Sequence, residues 1–141
     1  MVGTHPRRLV THWLPLLLWA GVIVHLSSRP MLPHVGPKLN ETDYLFDYAA
    51  HAAEFGLLCW LAWRAFSTTP ITFPSRHPAL GAWAFSALYA ALDEAHQALV
   101  PGRMATLADW LVDVAGAALV AIGIGLVAHC TQRANFGSDR E

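Results

Sequence analysis

The sequence contains few charged side chains. Asp, Glu, Lys and Arg make up 13% of its 141 residues, whereas they make up about 25% of an ordinary soluble domain. Hydrophobic residues make up 55%, and the mean hydropathy is +0.37. This shortage of charge indicates a protein that resides in lipid. The net charge of −1 argues against nucleic-acid binding, which requires a basic surface, so we expect no nucleic-acid partner.

Cysteine is also scarce, with two residues in the chain. Cys59 lies inside one apolar segment and Cys130 follows another, which fits neither a disulfide framework nor a zinc motif. We expect both to be structural residues, and we expect no metal and no cofactor. No Ala-x-Ala cleavage site follows the first apolar segment, which favours a retained membrane anchor over a cleaved signal peptide.

Four apolar segments are long enough to cross the hydrocarbon core of a bilayer, which is about 30 Å thick. They cover residues 9–26, 47–65, 79–100 and 107–128. We therefore predict an all-α integral membrane bundle of four transmembrane helices at residues 1–132, followed by a polar C-terminal tail at residues 133–141. Lys and Arg are more frequent on the side of the termini, six against three, which predicts that both termini are cytoplasmic.

Acidic residues recur at one level of the predicted bundle. Six of the ten lie in or beside the second, third and fourth segments, in the outward half of each helix: Asp47, Glu54, Asp93, Glu94, Asp109 and Asp113. At a rise of about 1.5 Å per residue, Glu54, Glu94 and Asp113 lie about 9–10 Å below the outer edge of their helices. Three helices thus place a carboxylate at the same depth.

The helical period aligns these polar groups on narrow faces. His51 lies one turn from two of the acids in the second helix, Gln97 lies one turn from Asp93, and Asp109 lies one turn from Asp113. Between the third and fourth helices, a Pro-Gly pair predicts a tight turn, which would make these two helices an antiparallel hairpin.

The cost of burying charge predicts that these faces converge. A lone carboxylate at the centre of a transmembrane helix costs about 2.5–3.5 kcal/mol, so we expect the acids to face one pocket beside the cation Arg103. The candidate functional residues are Asp47, His51, Glu54, Asp93, Glu94, Gln97, Arg103, Asp109 and Asp113. For Asp47 and Asp109 a purely structural role is equally open, because acids are favourable at helix N-termini.

Three blocks of the sequence resemble the VanZ-like family of small bacterial membrane proteins. They read VHLSSRP, FDYAAHAAEF and LDEAHQALVPGRMATLADWLVDVAGAALVAIG. The second is similar to the family's Asp-Lys-x-x-His block at Asp47 and His51. The third is similar to its Asp-Glu-x-x-Gln, Pro-x-Arg and Asp-x-x-x-Asn-x-x-Gly block, which maps onto Asp93, Glu94, Gln97, Arg103, Asp109 and Gly116.

Two positions depart from the family pattern. Tyr48 stands where the family usually has lysine, and Asp113 stands where it usually has asparagine. Both differences make this chain's predicted pocket more acidic.

The family takes its name from a protein linked to teicoplanin resistance. The resemblance implies a multi-pass protein of the bacterial cytoplasmic membrane with an outward-facing polar pocket. That pocket could bind a cell-envelope component, such as a cell-wall precursor or a lipid head group, or a glycopeptide antibiotic. The lipid bilayer is the partner that the composition itself indicates, and the oligomeric state is left open.

Two other classes of function are compatible with the same residues. A membrane-embedded enzyme acting on a lipid or cell-wall precursor could use His51 and the acids as general acid–base groups and Arg103 as an anion clamp. A divalent metal could then bind at His51-x-x-Glu54 or Asp93-x-x-His96. A proton-coupled transporter could use the acids as a relay, although the inner half of the predicted bundle is apolar.

Overall fold

The computed structural model describes residues 6–30, 41–68, 77–103 and 105–138. These ranges contain four α-helices and no strand: α1 (Pro6–Ser27), α2 (Glu41–Phe66), α3 (Pro78–Gln97) and α4 (Leu107–Ser138). The predicted all-α fold is therefore confirmed for the part of the chain that is described. Two stretches are long and apolar enough to cross a membrane, Val10–Ser27 in α1 and Leu107–Thr131 in α4.

The largest differences from the predicted helix boundaries lie at the start of α2 and at the end of α4. α2 begins at Glu41 instead of residue 47. α4 continues to Ser138 instead of ending at residue 128, so residues 133–138 of the predicted tail are helical. Residues 139–141 lie outside the described ranges.

Side-chain contacts show how the first three helices run relative to one another. Trp13 in the first half of α1 contacts Phe66 at the end of α2, so these two helices are antiparallel. Ser27 at the end of α1 contacts Asp93 near the end of α3, so α1 and α3 are parallel. The last turns of α1 and α3 therefore lie at the same end of the bundle.

A tight turn joins α3 to α4, as the Pro-Gly pair predicts. Gly102 has a φ angle of 82°, a left-handed conformation that strongly favours glycine. The Arg103 backbone N–H donates to the Val100 carbonyl at 3.1 Å, which closes the turn. The Thr106 backbone N–H then donates to the Glu94 side chain, so α4 folds back antiparallel to α3.

α2 and α4 run parallel and make the most extensive interhelical contact of the bundle. They approach closely because Gly116 has no side chain: a Cβ at this position would overlap the Ala52 carbonyl oxygen and lie 2.6 Å from the Ala52 Cα. The small residues Ala117 and Gly125 follow Gly116 along α4. Ala117 is buried, but a Cβ at Gly125 would meet nothing within 4 Å.

Aromatic rings fill the end of the bundle where α1 begins and α2 ends. Phe66 lies 5.9 Å from both Trp13 and Phe85, measured between ring centroids, and Phe85 lies 6.0 Å from Tyr89. The Tyr89 hydroxyl donates to the Ala20 carbonyl of α1 at 2.7 Å. Between this aromatic end and the opposite end lies a core of buried apolar side chains, among them Leu16, Ile23, Phe55, Leu58 and Cys59.

Candidate functional site

Polar side chains gather at the end of the bundle opposite the aromatic rings. There α1 and α3 end, while α2 and α4 are in their first half. We call the residues that meet there the polar cluster: Ser27, His51, Glu54, Asp93, Glu94, Gln97, Arg103, Thr106, Asp109 and Asp113.

Asp93 joins α1 to α3. Its Oδ2 atom accepts one hydrogen bond from the Ser27 hydroxyl and one from the Gln97 side-chain amide, each at 2.8 Å. All three residues are buried. Ser27 was not among the candidate residues, although the Ser-Ser pair in the VHLSSRP block was a signal that could have identified it.

Glu94 joins α3 to the beginning of α4. Its Oε2 atom accepts the Thr106 backbone N–H at 2.9 Å, and the Thr106 hydroxyl oxygen accepts the Asp109 backbone N–H at 3.1 Å. Thr106 is thus the N-cap of α4. Thr106 was not among the candidate residues, although the spacing Thr-x-x-Asp is typical of a capping box and could have identified it.

His51 joins α2 to α4. Its Nδ1 atom lies 3.2 Å from Oδ1 of Asp113, whose side chain is 1% exposed. The pair lies beside the close contact of Ala52 with Gly116, so the small residue at 116 allows the histidine to reach the carboxylate. Asp47 lies one turn before His51 on α2, and its side chain is half-exposed.

The acids of three helices surround one site. Glu54 interacts electrostatically with Asp93 and Asp113 and with the guanidinium of Arg103. Glu94 interacts with Asp93, Asp113 and Asp109. Acids from α2, α3 and α4 are therefore close enough to interact, and Arg103 approaches them from the α3–α4 turn.

Three buried polar atoms of the cluster have no hydrogen-bond partner among the described residues: Asp93 Oδ1, Glu94 Oε1 and Arg103 Nη1. A buried polar atom without a partner costs about 1–3 kcal/mol, and more when it is charged. Native structures contain few such atoms. The two carboxylate oxygens could accept hydrogen bonds from a bound group, and the guanidinium nitrogen could donate one.

No group of three or more His, Cys, Asp and Glu residues within the described ranges could hold a metal ion. The two helical spacings that could have supplied metal ligands do not converge. His51 is hydrogen-bonded to Asp113, whereas the His96 Nε2 atom lies 3.0 Å from the Ser28 hydroxyl oxygen. The histidines thus take part in two separate contacts between helices.

A serine beside a histidine can form a nucleophilic dyad, but the proton donor and acceptor in the contact of Ser28 with His96 are not those that a dyad requires. The Ser28 hydroxyl donates its proton to the Val24 carbonyl at 2.6 Å. A hydroxyl has one proton, so His96 acts as the donor in its own contact with Ser28. Activation of a serine nucleophile requires the opposite, because the imidazole must accept the hydroxyl proton.

Comparison with known protein families gives a match to the VanZ/LLP1 family over residues 13–128. The match covers most of the chain and includes every residue of the polar cluster, which confirms the resemblance seen in the sequence. No curated protein and no solved structure matches the chain.

Proposed function

We propose that this chain, which belongs to the VanZ/LLP1 family, is a multi-pass protein of the bacterial cytoplasmic membrane that binds the polar part of a cell-envelope component. In this proposal all four helices cross the bilayer, both termini are cytoplasmic and the polar cluster faces outward. The protein binds its ligand without catalysing a reaction. A glycopeptide antibiotic is the alternative ligand, because the family's namesake is linked to teicoplanin resistance.

The outward faces of α2 and α3 support a four-span topology. Their overall hydropathy is lowered by acids that point into the bundle, such as Asp93, which is 6% exposed. The side chains on their outer faces are apolar: Leu57 and Trp60 on α2 are 38% and 40% exposed, and Leu88 and Leu92 on α3 are 63% and 60% exposed. A bilayer contacts only this outer face, so the buried acids do not exclude a transmembrane position.

The observation that carries the binding proposal is the set of unpaired atoms at the buried polar end. Asp93 and Glu94 are each fixed by hydrogen bonds to neighbouring parts of the bundle. These two residues and Arg103 each retain one buried polar atom with no partner in the described residues. Structural helix–helix clamps satisfy their own hydrogen bonds. A site that leaves ionisable groups unsatisfied fits a role in binding an external polar group.

Antibiotic susceptibility tests this proposal. The chain would be expressed in a glycopeptide-susceptible Gram-positive host, alongside Glu94→Gln, His51→Ala and Arg103→Ala variants at equal membrane abundance. We expect the parent chain to reduce susceptibility to teicoplanin or to another inhibitor of envelope synthesis, and the three variants to lose that effect. Arg133→Ala is the matched control, since Arg133 is exposed on α4 away from the cluster, and it should retain the parent phenotype.

Two results would contradict the proposal. One is a phenotype that survives all three cluster substitutions at equal abundance, because the cluster would then serve folding alone. The other is chemical turnover of an envelope lipid by the purified protein, detected by mass spectrometry, because the site would then be catalytic.

A further inference from the structure

We infer that the group bound in the polar cluster is an ammonium group belonging to a zwitterion, with its anionic partner at Arg103. This inference rests on the proposed function, because it specifies the chemical class of the ligand. It is carried by the charge balance of the cluster and by the individual oxygen and nitrogen atoms that remain unsatisfied.

The cluster contains more acidic than basic side chains. Five carboxylates interact within it: Glu54, Asp93, Glu94, Asp109 and Asp113. Arg103 supplies one positive charge, and His51 supplies a second when it carries a proton. His51 already contacts Asp113, so the carboxylates of α3 require another cation. An ionised acid that is buried without a partner is costly, and a cationic ligand would stabilise the ionised form.

In each of the two carboxylates of α3, one oxygen is hydrogen-bonded and the other has no partner in the described structure. Asp93 is 6% exposed and is fixed through Oδ2 by Ser27 and Gln97. Glu94 is 9% exposed and is fixed through Oε2 by the Thr106 backbone N–H. The second oxygen of each carboxylate, Oδ1 or Oε1, is buried and has no partner in the described structure. Two adjacent residues thus offer two oriented acceptors.

An ammonium group suits these acceptors better than a metal ion does. It carries three N–H donors, each of which can give an unsatisfied carboxylate oxygen a charge-assisted hydrogen bond. A metal ion needs several ligands that converge on one point, and the described ranges contain no group of three acids, histidines or cysteines able to provide them. A water molecule could donate to the same oxygens, but it would not compensate their charge.

Arg103 indicates that the ligand also carries an anion. Its Nη1 atom is buried without a partner among the described residues, and a guanidinium nitrogen can only donate. Glu54 interacts electrostatically with both Arg103 and Asp93, so the guanidinium and the carboxylates lie at the same end of the bundle. A phosphate or carboxylate on the ligand would accept from Arg103 while the ammonium contacts the acids.

Aminophospholipids and soluble amino compounds share this chemistry. A comparison of two lipid head groups, one with and one without N–H donors, tests whether the protein recognises the ammonium group. The purified full chain would be placed in phosphatidylglycerol nanodiscs containing phosphatidylethanolamine or phosphatidylcholine, and retained lipid would be measured by native mass spectrometry. Phosphatidylcholine has the same charges but no N–H donors. We expect about tenfold preference for phosphatidylethanolamine, equivalent to about 1.4 kcal/mol, and competition by O-phosphoethanolamine if the head group alone suffices.

Variants test which atoms produce the preference. Glu94→Gln should abolish the preference for ethanolamine over choline, whereas Arg103→Ala should weaken retention of both lipids and leave their ratio unchanged. Arg133→Ala should match the parent. Thermal unfolding of each variant identifies any loss that comes from misfolding, and Asp93→Asn then provides a second test of the ammonium contact.

The outcomes distinguish this inference from the proposed function. Equal retention of both lipids, with no competition by O-phosphoethanolamine, overturns the ammonium assignment even if the susceptibility phenotype still depends on the cluster. Preference that persists unchanged in both Glu94→Gln and Asp93→Asn also overturns it, because the carboxylates would then not be the recognition groups.

Discussion

At one end of the bundle the helices meet through hydrogen bonds, and at the other end they meet through aromatic rings. The polar end is joined by the contacts of Asp93 with Ser27 and of His51 with Asp113. The aromatic end is joined by Phe66, which contacts Trp13 from α1 and Phe85 from α3. The polar contacts join all four helices in two pairs, and the ring contacts join three helices.

The two ends also differ in the polar atoms that they leave without partners in the described residues. In the half of α3 that contributes to the aromatic end, these atoms are the Trp83 indole nitrogen and the Ser86 hydroxyl oxygen, both uncharged groups. At the polar end they belong to two carboxyl groups and a guanidinium. Unsatisfied ionisable groups cost more than neutral ones, so the comparison favours the polar end as the proposed ligand site.

We expect the largest loss of stability from a substitution at Gly116, where the backbones of α2 and α4 approach closely beside the polar cluster. Gly116→Ala would place a methyl group against the backbone of Ala52, forcing α2 and α4 apart. We expect the free energy of unfolding to fall by about 3 kcal/mol, the upper part of the usual range for overpacking. Denaturation in mixed detergent micelles measures the change.

The same helix provides a control for Gly116→Ala. Gly123 has nothing within 4 Å of a Cβ built on it, so Gly123→Ala should leave stability unchanged or raise it by up to about 1 kcal/mol through helix propensity. Equal stability of the two variants would show that α2 and α4 do not approach as closely as the structure indicates.

Much of the fold could be predicted because apolar length and turn chemistry are local signals. The hairpin of α3 and α4 follows from the Pro-Gly turn, and the buried face of α3 follows from the spacing of Ser86, Asp93 and Gln97. The early start of α2 and the late end of α4 were missed. Polar residues also extend helices, so hydropathy alone does not mark helix ends.

The pairings within the cluster were harder to predict than its composition. Helical periodicity places His51 near acids of its own helix, but its hydrogen bond to Asp113 depends on how α2 and α4 pack. Ser27 was missed for the same reason, because its partner Asp93 lies on a helix distant in the sequence. Periodicity defines which face a residue occupies, whereas packing decides which residue it meets.

An intermediate effect is expected from the pair of His51 and Asp113. His51→Leu would leave the buried Asp113 carboxylate without its imidazole partner and should cost about 2 kcal/mol of unfolding free energy. The double variant His51→Leu with Asp113→Leu should recover most of this loss, because replacing both partners by apolar groups removes the unsatisfied charge. A double variant that is less stable than His51→Leu would show that the pair does not account for the burial of Asp113.

The smallest effect is expected at the aromatic end, where a substitution should lower stability without changing binding. Phe85→Leu keeps an apolar side chain but removes the ring contacts with Phe66 and Tyr89, so it should cost about 1 kcal/mol of unfolding free energy. The polar end should be unaffected, and lipid retention and antibiotic susceptibility should match the parent at equal abundance. Glu94→Gln should show the converse, with altered binding and little loss of stability. If Phe85→Leu instead changed the head-group preference, the aromatic end would belong to the ligand site, and the division of the bundle into a structural end and a binding end would fail.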